Sequence, residues 1–243
     1  MLLAVDIGNT NISLAVFKGS RIVKSWIIPV KKYRPLRSLG LPIKGALICS
    51  VAPQITRRLI IDIKKSLGIK PLIIGKNAGV PLKNLYQEPK QLGPDRLVNA
   101  YAASRIYSTP VVVVSCGTAI TVDAVSKNKE YLGGYILPGI HSLFLALSLN
   151  TALLPKVKLT APDSGIGRNT RGCILKGVIL GGAGAIDALI EKIRLKTGKN
   201  TKVIGTGGDI ELIKRFSKHK IKADKNLTLK GIFLTYKKII KKT

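Results

Sequence analysis

Acidic residues are the scarcest resource of this 243-residue chain: 12 Asp and Glu face 41 Lys and Arg, a net charge of +29 and a pI near 10.3. With so few carboxylates, an Asp at a strand tip or helix start is less often surface filler and more often a residue with a task. The balance favours anionic partners. Yet the cations are scattered from Lys31 to Lys242, and aromatics are only 5%, so stacking platforms for nucleic acid are few. The excess reads mainly as a solvated basic surface, with nucleic acid not expected as a partner. Cysteine is equally sparse. Cys49, Cys116 and Cys173 are odd in number, far apart and without neighbouring His, which excludes a disulfide framework or a zinc cluster and fits a reducing cytoplasm. No long uncharged apolar run occurs. The first is broken by Asp6 and has no basic leader, and Gly172 to Ile190 carries Lys176 and Asp187. The readings are therefore no signal peptide, a buried helix and no membrane span.

What the chain does have is an apolar run into a small polar turn. Leu2 to Val5 leads to Asp6, then to Ile7-Gly8-Asn9-Thr10-Asn11, and a return strand alternates around Ile12, Leu14 and Val16, with Ser13 between them. Gly and Asn tolerate the backbone angles that turn N–H groups toward a ligand. Asp6 could hold a phosphate-bound Mg²⁺ directly or through water. A phosphate cradle and a mere hairpin turn both fit. The pattern recurs: Val111 to Val114 runs into Ser115-Cys116-Gly117-Thr118-Ala119 and back through Ile120 to Asp123, so that Ser115 overlies Asp6 and Gly117 overlies Gly8. Two such hairpins imply duplicated α/β halves, 1–109 and 110–243, gripping phosphates between their turns.

Between and after the hairpins, strands alternate with helices. Strands are expected at Ile22–Ile28, Gly45–Ser50, Pro71–Ile74, Tyr131–Pro138 and Lys202–Ile204. Helices are expected at Pro53–Leu67, from Pro94, at His141–Leu149, over Arg171–Lys196 as one helix or two, from Ile210, and at Leu229–Lys241. Residues 31–44 and 80–92 read as irregular. Gly93-Pro94-Asp95-Arg96 is good helix-start chemistry, so Asp95 is either a first-turn acid or a functional carboxylate. Gly205-Thr206-Gly207-Gly208-Asp209 is a strand-to-helix turn that backbone or phosphate can approach closely. His141, alone after a Pro-Gly break, reads as structural, as does Asp123.

Taken together, Asp6 to Asn11, Gly93 to Arg96, Gly117-Thr118-Ala119 with Asp123, and Gly207-Gly208-Asp209 resemble the type III pantothenate kinases of the acetate kinase, sugar kinase, Hsp70 and actin superfamily. The resemblance runs nearly end to end and implies two RNase H-like halves, a nucleotide cleft and ATP-dependent phosphorylation of pantothenate in coenzyme A synthesis. It implies that residues Asp6 to Ser13, Thr118, Gly207 and Gly208 bind ATP, with Mg²⁺ at Asp6. It implies that Tyr86, Gly93, Pro94, Asp95, Arg96 and Thr170 bind pantothenate, with Asp95 as base for the primary hydroxyl. It also implies a homodimer, with Thr170 acting across the interface. Ser115 stands where the family has an Asp that holds a monovalent cation, so K⁺ or NH₄⁺ dependence is expected to be weak or absent. The alternative, motivated by the charge and by Ser115, is a catalytically weak regulatory or nucleic-acid-associated member of the same fold.

Overall fold

The computed structural model describes residues 1–35, 40–163 and 165–241. The chain forms two compact units. Unit 1 is Met1–Ile106 with Asn226–Thr243, and unit 2 is Tyr107–Lys225.

Unit 1 begins with β1 (Leu2–Ile7), β2 (Asn11–Lys18) and β3 (Arg21–Pro29), an antiparallel meander. β4 (Gly45–Ser50) and β5 (Leu72–Ile73) then add in parallel, giving the order β3-β2-β1-β4-β5. Alternation sorts the side chains. Leu3, Val5, Ile7 and Ile48 face one way and meet Leu59 and Ile63 of α1 (Pro53–Leu67). Pro53 opens α1, where its missing N–H costs nothing. Gly68, at φ +68°, closes it, and its N–H donates to the Lys64 carbonyl. Leu2, Ala4, Leu47 and Cys49 face the other way, toward Val98 of α2 (Pro94–Ile106). A two-residue strand, β6 (Lys83–Asn84), interrupts the irregular approach to α2. A single 3-10 turn, Val30–Lys32, falls at the start of the 31–44 segment, of which residues 36–39 lie outside the described residues.

Unit 2 repeats the plan. β7 (Val111–Cys116), β8 (Ala119–Val125) and β9 (Glu130–Pro138) form the meander, and β10 (Lys202–Thr206) and β11 (Ile221–Ala223) add in parallel, in the order β9-β8-β7-β10-β11. Strand for strand this is the order of unit 1, so the duplication read from the two hairpins is a duplication of whole sheets. Val112, Val114 and Val122 pack under α3 (Ile140–Leu149), α4 (Thr170–Thr197) and the one-turn α5 (Ile210–Ile213). α4 is one continuous helix, long and apolar enough to cross a membrane by length and composition alone. Ile174, Val178, Ile179, Ala183, Ile186 and Ile190 bury its inner side in the core of unit 2, as expected of a core helix.

One element goes unread, and one boundary differs. β11 lies in a Lys-rich stretch with only Ile221 buried, too short a signal for period-two patterning. The 110–243 boundary also misplaces the end of the chain. α6 (Leu227–Ile240) belongs to unit 1, because Leu229 and Ile232 pack with Leu2, Ala4 and Phe17, and Phe233 stacks on Phe17 at 4.6 Å between ring centroids. Gly231 lets the α6 backbone meet α2: a Cβ there would lie 2.5 Å from the Val98 carbonyl.

Candidate active site

Within unit 1, three strands and a helix start converge on Asp6. Asp6 pairs in register with Ser13 on β2 and Cys49 on β4. The turn beyond it is closed by the Gly8 N–H donating to the Asn11 carbonyl at 2.9 Å, and leaves Asn9, Thr10 and Asn11 exposed. A Cβ on Gly8 would sit 3.3 Å from that same carbonyl, so the turn leaves little room for a larger residue. Ile7 and Ile12 are fully buried. Any part they take in binding a nucleotide is through backbone alone.

Asp95, in the first turn of α2, is the second carboxylate. Its charge and Asp6's act on each other. Burial, and then the Asp95 charge, push the Asp6 carboxyl up to about 7. Burial and the same two carboxylates raise the Cys49 thiol well above its ordinary value. Asp95 folds back over Gly93, where a Cβ would lie 2.6 Å from its Oδ1; the glycine is what lets the carboxylate take that position. Pro94 supplies the first helical residue. Arg96 is only 6% exposed, and its guanidinium lies 5.9 Å from the ring centroid of Tyr86, whose N–H donates to Asn84 Oδ1. Four of the sequence-selected elements thus meet in one unit: the Asp6 hairpin, Tyr86, Gly93-Pro94 and Asp95-Arg96. A second carboxylate that raises the proton affinity of Asp6 makes a place where a cation is welcome. Among the described residues no group of three or more His, Cys, Asp or Glu is placed to hold a metal ion by itself. The two carboxylates are a donor set that fits a Mg²⁺ arriving on nucleotide phosphates.

Within unit 2, Ser115 pairs with Thr121 on β8 and Thr206 on β10. The second turn, Gly117 to Ala119, is one residue shorter than the first. It is enclosed by two backbone approaches. The Gly139 N–H donates to the Thr118 carbonyl, and a Cβ on Gly139 would lie 2.2 Å from the Gly117 carbonyl. Gly207, at φ +92°, passes so close that a Cβ would lie 2.2 Å from the Cys116 carbonyl, which also accepts the Asp209 N–H. Thr118, Ser115 and Gly207 are therefore one cluster, and Gly208 beside them has open space above it. Gly139 was visible in the sequence only as a helix-opening break. Its contact with the second turn needed the fold to bring it there.

The remaining candidates fall elsewhere in unit 2. Thr170 opens α4 behind Asn169, whose side chain accepts the Gly172 N–H at 2.8 Å. Asn169 and Gly172 line a recess of about 580 Å³ with Asp163, Arg168 and Lys176. Asp123 is 1% exposed and accepts hydrogen bonds from the Tyr131 hydroxyl at 2.7 Å and from Thr121 at 3.0 Å. Such a carboxylate holds two strands together. His141 is 70% exposed on its side chain and stands 3.7 Å from Asp209, so it is not packed in the core. Burial raises the Asp209 carboxyl and His141 partly opposes that. A cavity of about 840 Å³ between α3 and α4 is walled by Leu143, Leu147, Leu154, Ile174 and Val178. It has no chemistry for a phosphate.

A meander-led α/β sheet present twice, with a polar turn at each first hairpin, defines the actin-like ATPase and sugar kinase class. The activator of 2-hydroxyisocaproyl-CoA dehydratase from Clostridium difficile, solved with bound ADPNP, shares the fold at a TM-score of 0.57 with 13% identity, over 99% of this chain and 96% of that one. A Campylobacter jejuni protein described as a Baf family transcriptional activator superposes at 0.63 with 25% identity, over 99% and 98%. Within the class the chain belongs to the type III pantothenate kinases, whose family model matches residues 2–192. A type III pantothenate kinase from Finegoldia magna is 40% identical, over 96% of this chain and 95% of the relative.

Proposed function

We propose that this chain transfers the γ-phosphoryl group of ATP to the primary hydroxyl of pantothenate, giving 4′-phosphopantothenate, the first step of coenzyme A synthesis. The observation that carries the reading is a phosphate-type hairpin in the same unit as a carboxylate at a helix head whose charge acts on Asp6. The transition state of phosphoryl transfer is loose, so a kinase contributes position and charge more than covalent chemistry. Asp95 is the base. It accepts the hydroxyl proton and aims the oxygen lone pair at the γ-phosphorus. The new O–P bond forms as the bond to the β-phosphate oxygen breaks, and ADP leaves. Asp6 would hold Mg²⁺, which would supply charge neutralisation to the phosphates when bound. Asp6 to Ser13 and Thr118 serve the phosphates, and Gly207 and Gly208 flank the adenosine. Arg96, buried against Tyr86, is suited to the pantothenate carboxylate, with Gly93 and Pro94 shaping the same wall.

The active form in this reading is a cytoplasmic homodimer, with Thr170 reaching the partner's substrate. Unit 2 supports it with an exposed apolar and small-residue face: Leu145 and Leu149 on α3, Leu180 with Gly177, Gly181 and Gly184 on α4. The test is ADP release with pantothenate, pantetheine and simple sugars as acceptors. Pantothenate is the expected acceptor, and Asp95→Asn is expected to lower turnover by about 10² or more with the fold intact. Release with a sugar in place of pantothenate, or near-wild-type turnover of D95N, overturns the assignment.

A further inference from the structure

Unit 1 contains four carboxylates, Asp6, Asp62, Glu88 and Asp95, and two of them are in the candidate active site. Asp62 is engaged by the Tyr33 hydroxyl at 2.5 Å. The surface of the unit is left almost wholly to cations. Their linear scatter argues against a nucleic-acid footprint in the sequence, but the helical period gathers four of them. Leu59 and Ile63 take the inner stripe of α1 into the core. Arg57, Arg58, Ile61, Lys64 and Lys65 therefore turn outward, and all five are exposed. None of the four cations has a side-chain ion pair or hydrogen bond among the described residues.

We propose that this outer face of α1 is a docking surface for single-stranded nucleic acid. At 1.5 Å per residue the cations cover about 12 Å, a span for a few phosphates. Arg58 stands between two recesses. One, about 250 Å³, is lined by Gln54, Ile55, Arg57 and Arg58. The other, about 390 Å³, is lined by Tyr33, Arg34, Pro35, Arg58, Ile61 and Asp62, whose carboxylate is taken by the Tyr33 hydroxyl. An aromatic ring and a guanidinium beside a phosphate-binding row are the two kinds of group on which unpaired bases stack. A lipid surface would find only one large apolar side chain here, Ile61, where an interfacial helix needs a stripe. The face lies across the sheet from Asp6, since α1 packs on the Val5 and Ile7 side and Asp6 shares the Cys49 side. Docking here is therefore independent of the nucleotide site.

The test is fluorescence anisotropy of a labelled 20-nucleotide oligo(dT) against the full chain. Binding is expected to weaken with salt at a log–log slope of about −2 to −3, three or four phosphates at about 0.7 each. R57E/R58E/K64E/K65E is expected to lose at least about 30-fold in affinity, and the milder R57A/R58A about tenfold. The control K192E/K196E/K199E, on exposed positions of unit 2, is expected to change it less than threefold. An equal loss in that control overturns the proposal, because affinity would then follow total charge. Tighter binding of a duplex or of phosphatidylserine vesicles, or displacement of the oligonucleotide by ATP with Mg²⁺, overturns it as well.

Discussion

Asp6 is a carboxylate that the fold holds at a cost. Its ordinary value is 3.8 and in the folded protein it rises to about 7. Below pH 4 both folded and unfolded chains keep the proton. Between pH 4 and 7 the unfolded chain gives it up and the folded chain does not, so stability falls as pH rises through that window, and above pH 7 the full penalty is present. Asp6→Asn, which has no charge to bury, is expected to raise the Tm of the nucleotide-free protein by about 4 °C or more at pH 8 and to leave it unchanged at pH 4. A thermal melt at both values decides it, and a pH-independent difference is the contrary result. The sequence singled out Asp6 and Asp95, because acids are rare and both stand at element ends. It did not show that one acts on the other, since their nearness is set by the packing of α2 on the sheet. Nor did it mark Cys49, whose place beside Asp6 follows from β1–β4 pairing alone. Ser115 carries a prediction of its own. A hydroxyl lacks the charge that makes a monovalent cation site tight, so turnover is expected to change less than about twofold when K⁺ or NH₄⁺ is titrated into sodium-free buffer. An absolute requirement for either ion is the result that rejects it.

Among the elements, the second turn shows how close backbone packing constrains glycine. Gly207 and Gly208 look alike in the sequence, yet their surroundings are opposite. Gly207 is left-handed and pressed against the Cys116 backbone, whereas Gly208 has nothing within 4 Å. Gly207→Ala is expected to cost about 2 kcal/mol or more, from strain and clash together, and Gly208→Ala less than about 0.5 kcal/mol. Urea denaturation of both variants is the measurement, and equal costs contradict the packing described. Strand and helix assignments made from periodicity held for the long elements, where many side chains vote. They missed β6 and β11, at two and three residues too short to carry a period. The long apolar helix was legible as one helix or two, and its glycines do not break α4 because Ile174, Val178, Ile186 and Ile190 pin both ends to one core.

At the scale of the molecule, duplication was legible from two hairpins, and the sheets extend it: the order of the five-stranded sheet recurs among the strands of the six-stranded one. The boundary between halves was not legible, because α6 follows unit 2 in the chain while its apolar side completes unit 1. An amphipathic pattern says that a helix has a buried side and is silent on which sheet buries it. The proposed homodimer is tested at Gly181, which is exposed and has open space where a Cβ would go. Gly181→Glu is expected to leave the fold of the chain unchanged and to convert a dimer to a monomer in light scattering, with turnover falling at least about tenfold if the site needs the interface. A monomeric wild-type chain, or a dimer that survives the substitution, removes the interface from α4. The return of α6 to unit 1 also matters during synthesis. A ribosome releases the first sheet early, but its Leu2, Ala4 and Phe17 side cannot be covered by Ile232 and Phe233 until all of unit 2 has been read. The nascent chain thus carries an open apolar surface through translation of all of unit 2, the kind of delay in which chaperones bind.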